Sequence, residues 1–447
     1  MDSPDIDQVK PDLRTRVNRF AARFKLDSHH AMERFGVVVG CLALVGVLIL
    51  GVSGVQAVRG NSEQINSTAV WTKTFTTSKT KMSGTVDGVY RNQLGNKVMV
   101  LMHFDPEAKI DYNADDYKAF LLGSDTDLNS EPVSTTGVKG TFEVFGSTGY
   151  VGVLLEATQP FKQQVLNLTV RAGSELTTSD DTTDPSDQNA VLQADDPSFT
   201  KHDQWRIFFN PAASTVKYAS SLDRVRFDPS DLYYQTVLAA KEKAARATLD
   251  KKLLALRADR VQIDSYTHQL VTTKVDGLFL EPPKVPAVID GDQVTGRSSA
   301  ENGGGAATLT LHSRKTVAGG LDFDWRNGSV EKGYLDQVVP KGQSYVDYFA
   351  KLARATDTST DSTDIGNITW KLSNGTSLTE NYDSSDTTMR PLTSLMEKLS
   401  AAYESYSSDK IEYQTTDLQA LLNLDIDLRD VAANSSTRTG SGFLTVY

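Results

Sequence analysis

The chain has 447 residues, 57 acidic and 46 basic side chains, a net charge of −11 and a single cysteine. This acidic balance, with no basic stripe, excludes nucleic acid as a partner, because phosphates need clustered Lys and Arg. The lone Cys41 lies inside an apolar run, so no disulfide framework holds the rest of the chain.

Residues 1–34 read as a cytoplasmic segment. Leu13, Val17, Phe20 and Phe24 fall on one helical face, and Arg14, Arg16, Arg19, Arg23 and Lys25 occupy much of the remainder. Such a basic amphipathic segment suits the anionic inner leaflet of a lipid bilayer or a cytoplasmic partner.

From Phe35 to Val58 no charged residue interrupts the chain. That run exceeds the roughly 20 residues a helix needs to cross a bilayer core. Lys and Arg are dense before it and sparse after it, which predicts a cytoplasmic N-terminus and an extracellular remainder. Val55-Gln56-Ala57 has the small-residue pattern of a signal-peptidase site. The long leader and long apolar run instead favour a retained single-pass anchor. Gly36 and Gly40 form a GxxxG pair on which another membrane helix packs. Residues 59–69 are a linker.

Residues 70–227 read as all-β. Eight segments carry strand character: Val70–Phe75, Gly84–Tyr90, Lys97–Phe104, Tyr117–Leu122, Gly140–Phe145, Tyr150–Ala157, Val165–Arg171 and Trp205–Phe209. Short strands separated by turn signals predict an immunoglobulin-like β-sandwich. Residues 174–197 are Thr- and Asp-rich without periodicity and read as a surface loop. Asp125 to Glu131 alternates oxygen ligands like the start of a calcium loop, but Ser130 and Thr136 stand where an EF-hand needs Gly and Glu.

Between residues 228 and 276 the period becomes helical, over about 70 Å at ~1.5 Å per residue. Ser230 is the expected cap, with Asp228 and Asp231 near the positive end of the dipole. Leu249, Leu256, Ile263 and Leu270 form one heptad column, and Leu253 begins a second that decays through Arg260 and Thr267. One strong column predicts an antiparallel helical stalk rather than a two-stranded homodimeric coiled coil. Residues 389–434 supply the return helix or helices, with a break at Ser407-Ser408-Asp409, and residues 435–447 are a C-terminal tail. Residues 277–388, between the two, read as an inserted α+β head at the far tip. Its expected elements are strands at Ala307–His312 and Leu321–Trp325, a helix at Tyr345–Ala355, and a hairpin about Asn374-Gly375.

The chemistry-bearing residues are scattered. His103, His202, His268 and His312 stand alone, without zinc-ligand spacing. Ser214-x-x-Lys217 and Ser407-x-x-Lys410 match a nucleophile motif but lack its companion motifs, and they read as chance in a Ser-rich chain. Asp322 and Asp324 share a strand face opposite Phe323 and Trp325, an ordinary amphipathic alternation. Trp71, Trp205, Trp325 and Trp370 fall in strand-like segments, where core packing is the expected role. No cofactor and no catalytic set is predicted. Without paired cysteines the six Asn-x-Ser/Thr sequons read as chance. The expectation is therefore a non-enzymatic scaffold or binding protein of a bacterial, Gram-positive envelope. Its partners are other envelope proteins or a second copy of itself (a homo-oligomer), as a subunit of a secretion, conjugation or pilus apparatus. An autonomous adhesin or receptor is the alternative, and an envelope glycan-active enzyme the third.

Overall fold

The computed structural model describes residues 66–108, 110–123, 137–173, 202–357, 363–382, 387–440 and 442–447. The amphipathic segment with Arg14, Arg16, Arg19, Arg23 and Lys25, the apolar run with Gly36 and Gly40, the Asp125–Glu131 loop and the 174–197 loop all lie outside these residues. Thr68–Tyr447 form one compact unit. Among the described residues no helix is long and apolar enough to cross a membrane.

The fold is a mixture of antiparallel sheets and helices. Strands β1 (Thr74–Thr76), β2 (Ser83–Arg91), β3 (Lys97–Phe104), β4 (Tyr117–Gly123), β5 (Lys139–Val144), β6 (Tyr150–Glu156), β7 (Leu166–Ala172) and β8 (Gln204–Phe209) overlap the eight expected segments. The first sheet runs β1-β2-β3-β6-β5, and β9 (Lys217–Tyr218) adds to β2 in parallel. In the second sheet β4, β7 and β8 pair antiparallel. Val98, Val100, Met102, Phe104, Phe142 and Val153 from the first sheet meet Tyr117, Leu121, Leu168, Trp205 and Phe209 from the second in one core.

The other face of the first sheet is buried too. Met99, Leu101, Phe145, Tyr150 and Leu154 belong to a second core shared with the helices. Burial on both faces explains why β3 reads Val-Met-Val-Leu-Met without alternation.

Helix α1 (Pro229–Tyr233), a π-turn (Tyr234–Leu238) and α2 (Ala239–Thr272) are continuous. The cap is Asp228 rather than Ser230: its carboxylate accepts from the Ser230 and Asp231 amides. Pro229 takes the first helical position, where a missing N–H costs nothing, and this moves the cap one residue upstream of the proline. The long return helix also differs from expectation. It does not break at Ser407-Ser408-Asp409; α4 (Arg390–Glu412) passes through a π-turn (Tyr413–Asp417) into α5 (Leu418–Asn434). The carbonyl of Gln414 in that turn accepts from the Leu321 amide, and the Gln414 side chain accepts from the Val317 amide. An inserted loop thus uses the backbone group that the π-turn frees. Lys252 pairs with Asp409 and Glu412, and Asp259 accepts from Ser405, so α2 and α4 run antiparallel.

Residues between α2 and α4 do not stand at the far tip. They fold back along the helical pair: Lys410 meets Val288 and Asp292, Trp325 meets Tyr413, and the Leu335 amide donates to Asp425 in the middle of α5. Apolar side chains such as Ile289, Leu309, Leu321 and Leu335 join the helical core, so the insertion buries its apolar surface on the helices rather than in a separate head. Part of the expected Ala307–His312 strand forms as β11 (Thr310–His312), paired with an unexpected β10 (Gln293–Thr295), and α3 (Tyr345–Asp357) covers the expected helix. Leu321–Trp325 is not a strand. The expected turn at Asn374-Gly375 closes a minimal hairpin, with Lys371 opposite Ser377 and the Leu378 amide on the Trp370 carbonyl, but beyond it Ser377 caps a short helix, Leu378–Asn381, in place of a second strand. Its hydroxyl accepts from the Glu380 amide, so Ser-x-x-Glu acts as a helix start.

The expected C-terminal tail is structural. Strand β12 (Ser436–Thr439) pairs with β5, and β13 (Leu444–Val446) pairs with β4 in parallel, so the segment joins both sheets. Phe443 between them is buried, 5.5 Å from the ring of Phe142. A side chain at Gly140 would collide with Leu444, so this edge closes only because residue 140 is glycine.

Candidate functional site

A cleft of about 860 Å³ runs between α2 and the 298–307 loop. Ala247 and Leu254 present apolar surface from the helix, Ala300, Ala306 and Ala307 from the loop, and Trp325 from the base. Leu254 is 44% exposed and lies in this cleft. The exposed lysines 243 and 251 stand on its helical side.

Its wall is a network of ionised groups bonded to one another. Glu242 is buried and bonded to Arg246 one helical turn on. The Tyr334 hydroxyl donates to Glu242 at 2.9 Å and accepts from Arg246. Burial, with Glu242 beside it, raises the Tyr334 hydroxyl well above the usual phenol range. Tyr234, which donates to the other Glu242 oxygen, is pushed up to about 12 by burial first and Glu242 second. Arg326 pairs with Asp250 of α2, donates to the carbonyls of Leu309 and Ala307, and lies 4.4 Å from the Trp325 ring centroid. Arg246 stands over the same ring at 5.8 Å.

The loop forming the second wall is tied to α2 directly by Arg257–Glu301 and indirectly by Arg326, which binds both Asp250 and the Ala307 carbonyl. Glu301 is held down to about 2, chiefly by the Ser298 amide and then by Arg257. With the charges satisfied inside the wall, the surface left facing the cleft is mainly apolar, the character of a binding surface.

A smaller pocket of about 320 Å³ opens beyond Trp325 and holds His312, Asp322, Asp324 and Tyr413. Burial raises the Asp322 carboxyl, whereas bonds from Asn327 lower that of Asp324. Both aspartates line this pocket together with Phe323 and Trp325, on a segment that is not a strand. His312 is bonded to Thr295 at 3.0 Å, and His103 stacks on Tyr150 at 4.2 Å, each in a structural contact. Among the described residues no group of three or more His, Cys, Asp or Glu could hold a metal ion.

The predicted packing residues are all on α2: Leu249, Leu253, Leu256, Ile263 and Leu270 are buried in the helical core. Sequence reasoning did not single out Glu242, Arg246 or Tyr334, and it met Lys410 only in a Ser-x-x-Lys match read as chance, not as a buried residue. Lys410 carried a signal: it continues the stripe Leu399, Tyr403, Tyr406 at helical spacing, so a lysine stands at a core position. Glu242 and Tyr334 are 92 residues apart, and no local pattern joins them.

The chain matches no protein-family model, no curated protein and no solved structure.

Proposed function

We propose that this chain is a single-pass scaffold of a bacterial, Gram-positive envelope, with residues 1–34 in the cytoplasm and 68–447 outside. In this reading it is a subunit of a surface assembly such as a secretion, conjugation or pilus apparatus, and not an enzyme. The apolar run 35–58 and the basic excess before it support the topology. One structural observation carries the scaffold reading. The first sheet is buried on both faces, so sheets, paired helices and insertion share continuous cores and transmit position as one body. The finer fold reading belongs to the same proposal: two packed sheets support an immunoglobulin-like sandwich, and the antiparallel α2 and α4 support a helical stalk.

The test is sided labelling in a Cys41→Ser background. Lys217→Cys, on an exposed strand, is expected to react with a membrane-impermeant maleimide on intact cells, while Ser3→Cys reacts only after lysis. Labelling of Ser3→Cys on intact cells overturns the topology. Purification in mild detergent then addresses assembly: a stoichiometric complex is expected, and a lone monomer overturns the subunit reading. The cleft along α2 favours a second reading, an adhesin or receptor, in which replacing the anchor with an unrelated one leaves function intact.

A further inference from the structure

Lys410 and Asp292 have fully buried side chains, and their Nζ and Oδ2 atoms are 2.6 Å apart. They are 118 residues apart in the chain, one on α4 and the other just before β10. Around them lie the apolar side chains of Val288, Ile289, Val317 and Leu321, all buried in the same core. A buried ion pair of this kind is a poor source of stability by itself, because both charges lose their hydration.

We propose that Lys410 and Asp292 are a self-modifying pair, joined in the folded chain by an amide bond between Nζ and Cγ. The geometry is that of the reactants. Moving one proton from Nζ to Oδ2 across their contact turns the ion pair into an amine and a carboxylic acid. Burial lowers the affinity of Lys410 for its proton, against the opposing pull of Asp292. The two hydrogens left on nitrogen are accepted by the carbonyls of Val288 at 2.6 Å and Lys315 at 2.8 Å. Those two bonds fix the amine so that its lone pair faces the carboxyl group.

Attack on Cγ places negative charge on Oδ1. That oxygen accepts from the Arg314 amide at 3.3 Å, and the Ser313 hydroxyl, 3.1 Å from it and 2.8 Å from the Lys315 carbonyl, turns its single hydrogen to it as the charge develops. The Cγ–Oδ2 bond then breaks. Oδ2 carries the proton it received, takes a second directly from the nitrogen it faces, and departs as water, while the Tyr406 hydroxyl donates to it at 3.0 Å. The products are one amide and one water, with no oxidant or co-reactant. Fixed proximity supplies the driving geometry, as in intramolecular reactions of high effective molarity. The bond ties the insertion to α4 and stands independently of the scaffold reading.

The experiment is peptide mass spectrometry of the full chain, purified in detergent, denatured and digested. The expected result is a branched species joining the Asp292 and Lys410 peptides, lighter than their sum by one water. Recovery of both peptides unlinked from the wild type overturns the proposal, whatever the variants do. Lys410→Met is expected to abolish the branched species and the water loss. A water loss that persists in Lys410→Met belongs to another site and also overturns it. Chain held in denaturant from synthesis onward is expected to be unlinked and to link on refolding; linkage without folding overturns the assignment to this geometry.

Discussion

Ser147 donates twice to one oxygen of Asp430, from its amide at 2.5 Å and its hydroxyl at 2.9 Å. The two residues are 283 positions apart, one in the β5–β6 turn and the other in the last turns of α5. This contact fastens the sandwich to the helices at the point where the chain leaves α5 for β12. Gly146 beside it has φ +56°, and a side chain there would strike Asp430. The turn therefore fits the helix only through glycine followed by a short donor.

Asp430→Ala is expected to destabilise the unit by about 1–3 kcal/mol, the usual cost of losing bonds to a charged acceptor. Burial raises this carboxyl, but the bonds from Asn434 and Ser147 outweigh it and the net direction is down. A depressed carboxyl contributes stability above its unfolded value, and that contribution is lost as pH falls through the folded value. The wild-type advantage in urea midpoints should therefore shrink on acidification. An advantage independent of pH would contradict the assignment.

Glu143 has the opposite sign. It is fully buried on β5, its Oε2 accepts from the Thr437 hydroxyl at 2.5 Å, and its Oε1 has no partner among the described residues. Burial pushes its carboxyl from 4.5 up to about 8, against the lowering effect of the Thr437 bond. A raised carboxyl gives stability that is full below the unfolded value and lost as pH rises through the folded one. Between about pH 4.5 and about 8 the wild type should lose stability relative to Glu143→Gln. Thermal unfolding at both ends of that window checks it. Parallel curves for the two proteins would place the ionisation elsewhere.

The α2 heptad offers a paired test. Leu256 is fully buried, whereas Val261 on the same helix is 64% exposed. Leu256→Ala should cost about 2–5 kcal/mol through lost burial and the cavity left behind. Val261→Ala should change stability by less than about 0.5 kcal/mol, as surface substitutions do. Comparable losses at the two sites would mean that the exposed face of α2 is covered in the protein as purified.

Strands and helices were legible where one local signal decided them. β3, β4 and β6 lie close to their predicted ranges because apolar runs ended by turn residues leave few alternatives. The column from Leu249 to Leu270 was legible for the same reason. What escaped depended on partners distant in sequence. Residues 436–446 look like a polar tail until Glu143 and Ala119 are placed opposite Thr437 and Leu444. The insertion reads as a separate head because its apolar residues do not reveal whether they pack on each other or on α4 and α5. Among candidate site residues, the Asp322–Asp324 pair was visible, while the cleft wall was not, since Glu242 and Arg246 meet Tyr334 and Arg326 only through the chain reversal.

Arg326 gives the last prediction, because it holds the cleft together from three directions. It pairs with Asp250, donates to two loop carbonyls and stacks on Trp325, whose indole N–H donates to Tyr413 at 3.0 Å. A planar guanidinium makes all these contacts at once, and an ammonium does not. Arg326→Ala and Arg326→Lys should therefore both loosen the 297–309 segment, with lysine recovering only part of the effect. Amide hydrogen exchange is the measure. Faster exchange confined to that segment is expected, with α4 and α5 unchanged, since their core contacts do not pass through Arg326. Full recovery by lysine would reduce the role of Arg326 to its charge on Asp250, and the stack on Trp325 would then contribute nothing to the cleft.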